Sequence, residues 1–313
     1  PISRNEFLRR FDRAQRRQVD AQQIRQALMV TARPLATGTY LDDGAGQPDV
    51  AAAWRWLARA KPMLEIAVRA LGNGRTAAFQ ERRLGAITDS VQSFEVSLPS
   101  GAAETEVSLR SSMPWLRAPA KTHLRGGANT VSLTYQASAL RRPGVYTGVV
   151  TGWTPDSSAG PVFRLVNTVV VADTGAAILA RVDTIPAGGD GRLFFQAEAG
   201  RPFAVTFATQ SAGEQVLAYL HEPGGQPYRD ENGIGAGYGD QAGAYLVDGR
   251  DVVAGFYEAV AVAPPLDGAS ATIAVRQSPV TIEAKRDREG LIVQLGNVSP
   301  TAVSSTPFVA LVG

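Results

Sequence analysis

Val131-Ser132-Leu133-Thr134-Tyr135 alternates large apolar side chains with small hydroxyls. Neighbouring residues of a strand point to opposite faces, so this stretch buries one face and leaves the other wet. Runs of the same kind recur at 94–98, 106–109, 130–135, 145–151 and 163–171, which predicts a first β-sandwich over about residues 63 to 172. Arg125-Gly126-Gly127-Ala128-Asn129 and Arg142-Pro143-Gly144 supply the breaks between strands, because glycine, proline and asparagine suit tight turns. A second strand-rich block follows from about 180 to 278, with strands expected at 193–197, 203–208, 216–221, 244–247, 252–262 and 272–275. A long glycine-rich loop, Gly224 to Gly243, interrupts it. After Pro279 three further runs, 280–284, 291–295 and 308–311, read as the start of another β element. The expected class is mostly β, as tandem antiparallel sandwiches.

Working outward toward the N-terminus, the pattern turns helical before about residue 62. Asp20 is suited to cap a helix through Ala21-Gln22-Gln23-Ile24, with Gln23 placed as in a capping box. Ile24 and Leu28 lie four apart and share a face. Pro34 stops that helix. A second helix is expected from Val50 to Ala60, capped by Asp49, striped by Val50, Trp54 and Leu57, and ended by Pro62. The cluster Arg9, Arg10, Arg13, Arg16 and Arg17 reads as a solvated helix face or insertion loop.

Composition removes several function classes. Of 313 residues 44% are hydrophobic, which suits a protein with real cores, and the net charge is only +2. That charge argues against nucleic acid as the main partner. There is no cysteine, which excludes disulfides, thiolate catalysis and cysteine-based zinc sites. No run reaches the roughly 18 apolar residues a membrane-spanning helix needs. Pro1-Ile2-Ser3-Arg4-Asn5 has neither an initiator Met nor a signal-peptide pattern, so the chain is expected to begin inside a longer protein. The absence of cysteine also fits many secreted bacterial proteins, and an extracytoplasmic setting is expected.

A hydrolytic triad needs a nucleophile, a base and a group that orients the base. Only His123 and His221 can supply an imidazole, and both read as surface or rim residues beside turns. No Gly-x-Ser-x-Gly elbow or His-Glu-x-x-His helix is present. Asp248-Gly249-Arg250-Asp251 lacks the ligand count of a calcium loop. No cofactor or metal is expected. Asp173-Thr174-Gly175 copies the aspartic-protease tripeptide, but that chemistry needs two carboxylates sharing a proton and one copy exists. A turn between domains is the expected role, with an aspartic-type hydrolase acting through Asp173 as the remote rival.

Ile24 to Pro34 resembles the penultimate helix of a subtilisin-like serine peptidase (subtilase) catalytic domain, and Gly44 to Ala53 resembles the entry into its last helix. Trp115-Leu116-Arg117-Ala118-Pro119, Gly144 to Gly152 and Ala159-Gly160-Pro161-Val162-Phe163-Arg164 are similar to the region that follows the protease domain in bacterial relatives of tripeptidyl peptidase II. The resemblance covers about residues 20 to 172 and fades beyond. It implies that residues 1–61 are the helical end of an α/β catalytic domain and 62–173 a fibronectin-III-like sandwich. Residues 174–278 would be a jelly-roll-like sandwich and 279–313 a partial β element. It implies peptide-bond hydrolysis by a Ser-His-Asp triad lying upstream. The family's Gly-Thr-Ser-Met motif and its His and Asp motifs are absent, so no catalytic residue is assigned in this chain.

The expected partners are the upstream catalytic part, in cis or as a separate processed chain, and a peptide or protein substrate; a homo-oligomer is possible. Ile24, Leu28, Trp54, Trp56 and Leu57 would bury against the missing core. The alternative is a stand-alone binding module gripping a glycan or protein through the 224–243 loop, with Tyr228 and Tyr238 as stacking platforms.

Overall fold

A computed structural model describes residue 5 and residues 21–34, 39–59, 65–155, 160–173, 178–229, 232–278, 280–286 and 290–297. The Asp20 cap, the N-terminal arginine cluster, Pro62 and the run at 308–311 lie outside these. The chain divides into two compact units, Pro1–Val171 and Ala172–Gly313.

The first unit opens with helices α1 (Ala21–Thr31), α2 (Tyr40–Asp43) and α3 (Val50–Arg59). Asp49 caps α3 as the sequence suggests, its Oδ1 accepting from the Ala52 amide at 2.8 Å. That hydrogen bond, with Arg33 beside it, holds the carboxyl below the usual range against the opposing effect of burial.

Nine strands follow: β1 (Ala67–Ala70), β2 (Ala77–Arg83), β3 (Ser90–Leu98), β4 (Thr105–Ser111), β5 (Leu116–Arg117), β6 (Lys121–Leu124), β7 (Gly127–Tyr135), β8 (Gly144–Trp153) and β9 (Phe163–Ala172). They form two antiparallel sheets, ordered β1-β3-β7-β5 and β2-β9-β8-β4-β6. The alternation in β7 is realised: Val131, Leu133 and Tyr135 are buried and Ser132 is exposed. Phe94 of β3 sits opposite Val131, and Phe94, Val96 and Leu98 join the same core. Tyr135 donates to Asn167 Oδ1 at 2.8 Å, and Asn167 donates to the Leu165 carbonyl at 2.7 Å. This pair satisfies polar groups at the centre of the sandwich, and burial pushes the phenol of Tyr135 up.

The second unit holds β10 (Ile178–Ile185), β11 (Asp190–Ala197), β12 (Phe203–Thr209), β13 (Val216–His221), β14 (Ile234–Ala236), β15 (Gly243–Val247), β16 (Gly255–Val262) and β17 (Ala269–Gln277). The sheets run β10-β17-β12-β15 and β11-β16-β13-β14, the strand exchange of an eight-stranded jelly roll. Phe195, Phe203 and Tyr257 meet edge-on or stacked at its centre, 5.0 to 5.7 Å between rings. The expected 224–243 loop is partly strand, since β14 pairs with β13. Last, β18 (Val280–Arg286) and β19 (Leu291–Asn297) pair with each other.

Candidate functional site

Three of the stretches that resemble the peptidase family, Ile24–Pro34, Gly44–Ala53 and Gly160–Arg164, meet where the helices lie on the first sandwich. α1 and α3 pack through Ile24, Ala27 and Val30 against Ala53, Trp56 and Leu57. The helix face expected to await a missing core is therefore filled within this chain. Ile24, Trp56 and Leu57 are buried, and Leu28 and Trp54 are partly so. The reason is geometric: the stripe of one helix is opposite that of the other, and the start of β9 closes the remaining side.

Residues 160–164 form that closure. The Trp56 indole donates to the Pro161 carbonyl at 2.8 Å. Gln26, buried on α1, donates to the Val162 carbonyl at 2.7 Å and accepts from the Ile66 amide at 3.5 Å. Phe163 points the other way into the sandwich core, pressed on Gly152, where any Cβ would lie 2.4 Å from its ring. Arg164 finishes the clamp. Its guanidinium donates to the carbonyls of Met29 at 3.2 Å, Ala32 at 2.9 Å and Ala45 at 3.4 Å, and to the Tyr40 hydroxyl at 3.2 Å. The Met29 and Ala32 carbonyls lie at and just beyond the C-terminal turn of α1, where orphan acceptors and the helix dipole both favour a cation, and Ala45 follows α2.

The approach to α3 is held by a two-residue bridge. Arg33 and Gln47 exchange main-chain hydrogen bonds at 2.9 and 2.8 Å, and Arg33 pairs with Asp49. Gly46 must be glycine here: its φ is +96°, and a Cβ would lie 2.3 Å from the Arg33 carbonyl oxygen. A mostly apolar cavity of about 150 Å³ lies beside the clamp, lined by Gln26, Met29, Ile66, Val68, Ala77 and Val162 among others. That size admits a small apolar group.

The other residues singled out from sequence do not converge. His123 stands exposed on β6, 3.4 Å from Glu104. His221 ends β13 with Nδ1 2.8 Å from Glu258 Oε2 and its ring stacked near Tyr219. Glu258 also accepts from Arg192, whose Nε donates to Asp190 at 2.5 Å. Burial acts to raise Glu258, but His221 and Arg192 outweigh it and hold the carboxyl below the usual range. Among the described residues, no serine or threonine hydroxyl hydrogen-bonds to either histidine.

Asp173 is the last described residue before the expected turn, whose Thr174 and Gly175 lie outside the described residues. It bridges Phe195 in parallel, its amide donating to the Phe194 carbonyl at 3.2 Å. Tyr228 is not a platform: it is buried in the jelly-roll core, edge-on to Tyr245 at 6.3 Å. Tyr238 is exposed. Among the described residues no helix is long and apolar enough to cross a membrane, which leaves β-barrels untouched.

The molecule thus belongs to the class of tandem β-sandwich proteins with helices clamped to the first sandwich. No family of known sequences matches the chain, and no curated protein does. Among solved structures it is similar to tripeptidyl peptidase 2 (TPP II), with a TM-score of 0.69 and 16% identity over 90% of this chain and 26% of that one. The chain therefore spans about a quarter of that protein's length, and the likeness is one of fold. The secreted serine protease VesC from Vibrio cholerae (TM-score 0.35, 9% identity, 74% and 54% covered) is more distant. So is PliG from Aeromonas hydrophila, a periplasmic inhibitor of g-type lysozyme (TM-score 0.26, 16% identity, 33% and 89% covered). Neither bears on the argument.

Proposed function

We propose that this chain is the non-catalytic, C-terminal portion of a subtilisin-like serine peptidase related to tripeptidyl peptidase II, and that it supports a catalytic part lying upstream. The observation that carries the reading is the clamp. Ile24–Pro34, Gly44–Ala53 and Gly160–Arg164, separate in sequence and each resembling the peptidase family, are held together by Gln26, Trp56 and Arg164. The fold likeness to TPP II supports it. The missing-core face assumed from sequence no longer does, since the helices bury that stripe themselves. The surface offered to the catalytic part is the outer side of α3 at Val50, which is 42% exposed, whereas Trp54 packs partly on the helix cluster.

The chain alone is expected neither to hydrolyse peptides nor to label with a serine-directed fluorophosphonate. Co-expressed with the polypeptide encoded upstream of Pro1, it is expected to co-purify with it and to lose it on Val50→Glu. Labelling of this chain itself, or an upstream partner that binds the variant equally well, defeats the reading.

A further inference from the structure

The second unit carries an open groove of about 840 Å³ at one end of the outer face of the β10-β17-β12-β15 sheet. Its floor is a row across three strands. Arg276 of β17 is opposite Ala204 of β12, which is opposite Leu246 of β15. Leu246 is 70% exposed and offers the floor its apolar surface. Phe203 and Val247 line the groove beside it.

Three guanidiniums surround this apolar floor: Arg229, Arg250 and Arg276. Arg229 pairs with Asp251 at 2.9 Å, and Arg250 lies 3.6 Å from Asp248 and 4.0 Å from Asp251. Arg276 is exposed and has no carboxylate within 4.0 Å among the described residues. Among the described residues the groove therefore keeps one cation, Arg276, in excess of its acids.

Arg229 is tethered at two points, although its side chain is 63% exposed. Its φ is +61°, the one left-handed non-glycine residue among those described. Such a backbone persists only where its surroundings enforce it. Its guanidinium lies 4.9 Å over the ring of Tyr228, itself anchored in the core. A fixed cation, two more at the rim and a bare leucine between them match a ligand that alternates carboxylates with apolar side chains. Guanidinium forks grip carboxylates in pairs of hydrogen bonds.

We propose that this groove binds an extended acidic peptide, with its carboxylates on Arg276 and Arg250 and its apolar side chains on Leu246 and Ala204. A nucleic acid is a poorer match, since Asp248 stands in the groove and, among the described residues, no exposed aromatic ring lines it for base stacking. The proposal does not rest on the peptidase reading, because binding is measured without hydrolysis.

The test uses the whole chain and a fluorescent peptide of alternating Glu and Leu, followed by anisotropy. Saturable binding is expected, weakened by high salt and by roughly tenfold for each of Arg250→Gln and Arg276→Gln. Unchanged melting of the variants shows that the fold is intact, since both side chains are exposed. Equal binding of a matched Lys-Leu peptide, equal affinity of the double variant, or tighter binding of an oligonucleotide of the same charge would each overturn the proposal.

Discussion

In the first unit Arg164 is spent on neutral oxygens, three carbonyls and a phenol. In the second unit Arg192 is spent on carboxylates, Asp190 and Glu258, with His221 as a further partner of Glu258. Both are partly buried arginines held at several points, yet the two arrangements do different work. A guanidinium on carbonyls reaches across sequence, joining α1, α2 and the segment before α3 to β9, and its strength does not depend on pH. A guanidinium on carboxylates joins adjacent strands that already pair through their main chains, and its strength depends on the charge of the acids. The first kind of contact sets where elements sit, and the second tunes a sheet that is already assembled.

The contrast is open to direct attack. Arg164→Ala is expected to cost about 2 to 3 kcal/mol, because it leaves several carbonyls without their donor. Hydrogen exchange should rise across α1 and α3 while β3 and β7 stay protected. Arg164→Lys should recover little, since an ammonium cannot span four acceptors in a plane. Equal loss of protection in helices and strands would show that the clamp is not local. Trp56→Phe keeps the apolar packing and removes only the bond to Pro161, so a cost of about 1 kcal/mol is expected, read as a shift in the denaturant midpoint.

The smallest effect concerns pH. Glu258 has a depressed pKa in the folded state. It therefore contributes stability above the ordinary glutamate value of about 4.3, and that contribution is lost as pH falls through the lower folded value. Glu258→Gln should lower stability at neutral pH and reduce the further loss on acidification. Arg164→Ala should leave the slope of stability against pH unchanged. Parallel pH profiles for wild type and Glu258→Gln would remove the titratable half of the comparison.

The parts legible in sequence are those written locally. The alternation at 131–135, the Asp49 cap and the Ile24 face of α1 each need only neighbouring residues and are present as expected. On α3, by contrast, the buried face is Ala53, Trp56 and Leu57, and Val50 of the expected stripe is exposed. β2 was hidden because Gln80, Glu81, Arg82 and Arg83 look like a surface loop. In the structure Arg82 is buried and donates to the Thr88 carbonyl at 2.8 Å and to Ser90 Oγ at 3.3 Å. β14 was hidden by its glycine-rich surroundings.

The clamp was half legible. Gly46 and Arg164 stood out as parts of family-like stretches, but their reason lies in carbonyls distant along the chain, Arg33 for one and Met29, Ala32 and Ala45 for the other. Sequence periodicity carries no record of such main-chain acceptors. The same limit explains Tyr228, whose place in a glycine-rich stretch suggested exposure although its ring faces Tyr245 in the core.

Asp173 has a consequence for handling the molecule. β11 is the outermost strand of its sheet, and the bridge from Asp173 to Phe195 occupies part of its open side. A jelly roll cut free just after this residue would bare that row of amides and carbonyls, an invitation to strand-to-strand clumping. Whoever separates the second unit should carry Asp173 along with it.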